Sequence, residues 1–106
     1  MPYLPKPYQS FQKAFPKVSE TYSEFAKACH EEGPLNERSR RLVKLGVAVG
    51  LCSEGAVKSH ARRALAIGLT PDEVRHAVLL GMTTVGFPRT IAALEWIREV
   101  LPSKKK

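Results

Sequence analysis

The chain has 106 residues, of which 43% are hydrophobic and 25% charged, a composition that fits one globular domain. No apolar run approaches the roughly 20 residues that a membrane span requires, which excludes a transmembrane protein. The net charge of +7, from 17 basic and 10 acidic residues, invites a nucleic-acid reading, but no recognition motif accompanies the basic clusters and the aromatics are not interleaved with them. A small anionic partner needs only two or three such residues and is the better expectation.

The first segment carries Pro2, Pro5 and Pro7 and is rich in aromatics, which points to an N-terminal aromatic arm or short helix over residues 1–15. Phe11 and Phe15 are spaced for a short helix ending before Pro16. The absence of a signal-peptide core makes a cytoplasmic location the expectation. Cys29 and Cys52 then read as free thiols, with no pairing or spacing that suits a metal.

From Pro16 the positions Val18, Tyr22, Phe25, Ala26 and Cys29 recur at helical spacing, so Cys29 is expected to be a small buried hydrophobe. His30, Glu31 and Glu32 read as solvated residues at the helix end, before Gly33-Pro34. Asn36 is a suitable N-cap for a third helix, with Glu37 in its first turn. The run from Leu42 to Cys52 is almost wholly apolar, which predicts a helix buried on all sides, with Gly46 and Gly50 permitting a close neighbour.

Ser53 is a candidate cap for a fourth helix that ends at Gly68. On it His60 shares a face with Ala56, Val57 and Ala64, while Lys58, Arg62 and Arg63 fall mostly on other sides. An imidazole among small apolar residues has a pKa that burial or a charged neighbour can move, the property needed for general acid or base work. A core histidine with a satisfied hydrogen bond is the competing explanation.

Thr70-Pro71-Asp72-Glu73 forms a capping box with proline at the first helical position, so a fifth helix starts there and runs to Gly86. Pro88 opens a sixth, whose Ile91, Leu94, Ile97 and Leu101 are expected to pack inward until Pro102. No stretch reads as a strand. The expected architecture is a single all-α domain of about six helices over residues 16–102, followed by a basic tail at 103–106.

The segment HARRALAIGLTPDEVRHAVLLGMTTVGFPRTIAAL, residues 60–94, resembles the carboxymuconolactone decarboxylase family, which includes alkylhydroperoxidase D-type proteins. The histidine, the Ala-Leu before glycine, the Thr-Pro-x-Glu start and the Gly-Phe-Pro turn carry the resemblance, and GPLNERSRRL upstream looks like the family's entry into its central helix. It implies an all-helical homo-oligomer, a trimer or hexamer, with sites near subunit contacts. Peroxidase-type members carry a Cys-x-x-Cys just before the histidine and a glutamate on the preceding helix. Those positions fall here on Ser53, Ala56 and Arg41, with His60 in register.

Three functions remain open on this reading. A decarboxylase-like enzyme would use His60 as the acid that delivers a proton to carbon, with Arg41 holding a carboxylate and Ser53, Glu54 and Thr84 lining the region. A thiol peroxidase would use Cys52 with His60, which requires the turn before Ser53 to swing Cys52 toward the imidazole. A non-catalytic oligomeric binding protein would keep the fold without turnover. His76 reads as a surface or interface residue, and none of the three readings calls for a cofactor or metal.

Overall fold

The computed structural model describes residues 6–102, so Pro2, Tyr3, Pro5 and the Lys104 to Lys106 tail lie outside the described residues. Six α-helices follow in chain order: α1 (Lys6–Ala14), α2 (Pro16–Glu31), α3 (Glu37–Leu51), α4 (Glu54–Ala66), α5 (Pro71–Leu79) and α6 (Phe87–Ile97). A 3₁₀ turn, Leu80–Thr83, follows α5. No strand occurs among the described residues.

Local chemistry sets most of these boundaries. Asn36 accepts a hydrogen bond from the Ser39 amide and Ser53 from the Ala56 amide, each satisfying a donor that the first helical turn leaves unpaired. At α5 the box closes in both directions, with Thr70 Oγ1 accepting from the Glu73 amide and Glu73 Oε1 from the Thr70 amide. Glu73 Oε2 also takes the Arg38 guanidinium at 2.6 Å, which ties the start of α5 to α3. Thr70→Ala is expected to cost about 1 kcal/mol of stability in urea unfolding.

Helices α3 to α6 pack on one another, whereas α1 and α2 pair together and touch the rest only lightly. Leu45, Val49, Val57, Ala61, Ala64, Val74, Val78, Ala93 and Ile97 form the buried centre. Closest approach occurs at Gly81, where a Cβ would lie 3.1 Å from Thr90 Oγ1 and 3.4 Å from a Val49 methyl. Gly46, expected to serve that purpose, has nothing within 4 Å of an added Cβ.

Several faces differ from the expectation. Only Leu45, Ala48 and Val49 are buried in α3, and Val43, Val47 and Leu51 are more than half exposed, so this helix is not enclosed on all sides. An all-apolar run cannot show which side its own chain covers, and here α4, α5 and α6 cover only part of it. Along α2 the stripe of Val18, Tyr22 and Phe25 is exposed, Cys29 with it, and Ser19 is the residue turned inward toward α1. In α6 the buried position is Thr90 rather than Ile91, which is 38% exposed. α5 stops at Leu79 rather than near Gly86, because the chain tightens into the 3₁₀ turn on which Gly81 meets Thr90.

Cys52 ends α3 in the left-handed conformation, φ +57° and ψ +39°, with its amide bonded to the Val49 carbonyl. A residue with a Cβ is disfavoured there. Cys52→Gly is expected to raise stability by about 0.5–1 kcal/mol, read as a higher urea midpoint with an unchanged slope.

Candidate active site

Where α2 lies alongside α3 and α4, the helices border an open cleft of about 620 Å³. Its walls come from Tyr8 of α1, Tyr22, Ser23, Ala26, Lys27, His30 and Glu31 of α2, Arg40, Arg41 and Lys44 of α3, and Ala56, Ser59, His60 and Arg63 of α4. Helical spacing explains the convergence. Arg40 and Arg41 stand four and three residues before Lys44, Lys27 three before His30, and His60 three before Arg63, so each set shares a face.

Five cations thus meet one carboxylate, Glu31. Lys44 Nζ lies 3.0 Å from His30 Nε2 and bridges α3 to α2, while Arg40 donates to the Leu35 carbonyl at 2.6 Å. Arg41 Nε and one of its terminal nitrogens, Arg40 Nε and His60 Nδ1 are buried without a partner among the described residues. Buried donors without acceptors are costly, and a ligand with acceptor oxygens relieves that cost.

Burial, then the charges of Arg63, Lys44, Arg41 and His30, push the His60 imidazole down to about 4. Burial and Lys44, Arg41, Arg40 and Arg63 likewise lower His30, and Arg41 and Lys44 are lowered by burial and by their cationic neighbours. Desolvation and repulsion act in the same direction throughout. At neutral pH His60 is therefore uncharged, whereas an acid would have to carry its proton.

Of the residues singled out in the sequence, His60 and Arg41 share this cleft and the other four lie elsewhere. Cys52 is exposed at the end of α3 and does not line the cleft. Ser53 caps α4, and Glu54 pairs with Lys58 at 2.6 Å, where Lys58 also reaches Glu99. Thr84 lines a second, largely apolar groove of about 530 Å³ with Leu42, Val43, Ala77, Leu80 and Val85. His76 borders that groove and is exposed.

His30 is half-buried on the cleft wall rather than solvated, and Arg63 faces the cleft rather than away from His60. The three-residue spacings within α2, α3 and α4 were the signal available for Lys27, His30, Lys44 and Arg63. No cluster of three or more histidine, cysteine or acidic side chains suited to a metal ion occurs among the described residues.

A sequence model of the carboxymuconolactone decarboxylase family matches residues 16–99, from the start of α2 to just beyond α6. The chain belongs to the carboxymuconolactone decarboxylase family. It is also 32% identical over 89 residues to an uncharacterized protein of Methanocaldococcus jannaschii, an alignment covering 84% of this chain and 83% of that protein. No solved structure gives a significant match. Ala56 stands on the cleft wall and Ser53 caps α4.

Proposed function

We propose that this member of the family binds a small carboxylated molecule in the α2/α3/α4 cleft and acts on it by acid-base chemistry at His60, as a decarboxylase-like enzyme. The excess of cations around His60, with Arg41 donors buried and unpaired, is the observation that carries the reading. A carboxylate accepts two parallel bonds from a guanidinium, and Arg41 presents such donors beside the imidazole.

Substrate binding also prepares the acid. Burial first, and then the charges of Arg63, Lys44 and Arg41, hold His60 near 4, and an anion seated among those cations offsets the second part, which favours proton uptake by the imidazole as the ligand enters. Loss of carbon dioxide leaves an electron pair on carbon, and the imidazolium supplies the proton that captures it. Water regenerates the acid, and the net reaction consumes one proton for each carboxylate lost.

A homo-oligomer, trimer or hexamer, completes the proposal. The chain exposes 7479 Å², against about 5,900 Å² for a folded monomer of its mass, and Val18, Tyr22, Phe25, Val43, Val47 and Leu80 lie on that surface. Among the described residues no helix is long and apolar enough to cross a membrane.

The test combines calorimetric binding of dicarboxylates with a screen of carboxylated lactones and 3-oxo acids for carbon dioxide release. Micromolar binding that weakens with salt, together with turnover, supports the reading. Equal indifference to anionic and neutral analogues would overturn it. Hydroperoxide consumption is expected to be unaffected by Cys52→Ser, since Cys52 stands outside the cleft.

A further inference from the structure

We propose that Lys44 is an amine nucleophile: its Nζ, bonded to His30 in the cleft that holds His60, condenses with the carbonyl of a bound 3-oxo acid and draws out the electrons released with carbon dioxide. The inference rests on the reading of this cleft as a site for carboxylated molecules. It names the substrate class and the electron sink that acid-base chemistry at His60 alone leaves unspecified.

Lys44 and Lys58 have opposite surroundings. Lys58, on the other side of α4, is gripped by Glu54 at 2.6 Å and Glu99 at 2.8 Å, and both carboxylates hold its proton in place. Lys44 has no carboxylate partner among the described residues. Its hydrogen-bond partner is an imidazole nitrogen at 3.0 Å, an uncharged acceptor that does not hold the ammonium as a carboxylate does. Burial, Arg41 and Arg63 all disfavour its charge, with Cys29 acting weakly in the other direction. A partly buried lysine beside other cations and without a carboxylate is the arrangement that favours a neutral, attacking amine.

The steps balance without an external oxidant or reductant. Lys44 gives up its proton to solvent, and the amine lone pair adds to the substrate carbonyl carbon, giving a carbinolamine. Protonation of its hydroxyl by the imidazolium of His60 releases water and forms a carbon–nitrogen double bond bearing positive charge. The carbon–carboxylate bond then breaks, carbon dioxide departs, and its electron pair flows into the cationic double bond to give an enamine. His60, reprotonated from solvent, then adds a proton to carbon, and water hydrolyses the resulting iminium to ketone and Lys44, which recovers its proton. Arg41, Arg40 and Arg63 hold a second carboxylate of the substrate meanwhile, which favours a 3-oxo dicarboxylate.

The experiment incubates the wild-type protein with 3-oxoglutarate and sodium borohydride and maps reduced adducts by peptide mass, with glutarate binding measured separately by calorimetry. The expected result is an adduct on Lys44 at least tenfold above that on the exposed Lys13 or Lys17, and loss of the adduct in Lys44→Arg. Glutarate binding without a Lys44 adduct, or adducts spread evenly over surface lysines, overturns this inference and leaves the anion site standing. Absence of glutarate binding removes the anion site and the inference together. Because the mapping is done on the wild-type chain, a variant that folds poorly does not change the result.

Discussion

His60→Gln is expected to lower turnover of a carboxylated substrate by about 10²- to 10⁴-fold while leaving the helices folded. Glutamine fills a similar volume on α4 but cannot carry the proton. The pH behaviour separates this role from a packing role. In the folded chain the imidazole sits at about 4, below its ordinary 6.5, so the unfolded chain binds more protons between those values. Stability therefore rises with pH across that window: the contribution is complete above about 6.5 and is lost as pH falls through about 4. Allowing for solvent screening at a half-buried group, it is on the order of 2 kcal/mol. In His60→Gln the urea midpoint should vary less between pH 4 and pH 6.5, with a residual slope from His30, which is lowered in the same sense.

Ligand binding runs the linkage in the opposite direction. An anion in the cleft raises the His60 pKa, so binding takes up protons and tightens as pH falls from 7 toward 5. Calorimetry in two buffers of different ionisation heat counts those protons. The wild type should take up more than His60→Gln, and equal uptake would remove His60 from the anion's surroundings.

The features that sequence exposes best in this chain are those decided within one turn of backbone. Asn36, Ser53 and the Thr70 to Glu73 box each act on an amide three residues away, and each caps the helix expected of it. Gly68, with φ +97°, is likewise a local requirement for a left-handed turn. What one sequence does not disclose is the side from which another helix arrives. Val43, Val47 and Leu51 are as apolar as Leu45 and Val49, but only the latter two face the core. The stripe of Val18, Tyr22, Phe25 and Cys29 has the right period, but its own chain leaves each of these residues exposed.

The candidate site divides along the same line. His60 emerged from the face it shares with Ala56, Val57 and Ala64, Arg41 from register with the family, and they share one cleft. Lys58, Arg62 and Arg63 form one basic cluster in sequence, but a step of about 100° per residue sends Arg63 to the cleft and Lys58 to Glu54 and Glu99. His30 and Lys44 are 14 residues apart and meet only because α2 folds back across α3. That meeting is a tertiary fact, and spacing within either helix could only prepare for it.

Arg41→Met is expected to weaken dicarboxylate binding by about 100-fold or more, the loss of a charge-assisted, two-pronged contact worth about 3 kcal/mol in a partly desolvated site. The same substitution should leave the unliganded protein as stable as before or more so. Arg41 is held among Arg40, Lys44 and Arg63 with Nε and a terminal nitrogen buried and unpaired, and Glu37 is the one acidic group that favours its charge. Methionine retains the apolar stem along the α3 wall and removes both the repulsion and the unmet donors. Affinity lost while the urea midpoint holds or rises is the signature of a residue kept for its ligand rather than for the fold. A structural Arg41 would behave in the reverse way, with the midpoint falling and the affinity of the folded fraction unchanged. Arg41→Lys should restore only part of the binding, since an ammonium offers a point charge in place of the planar fork.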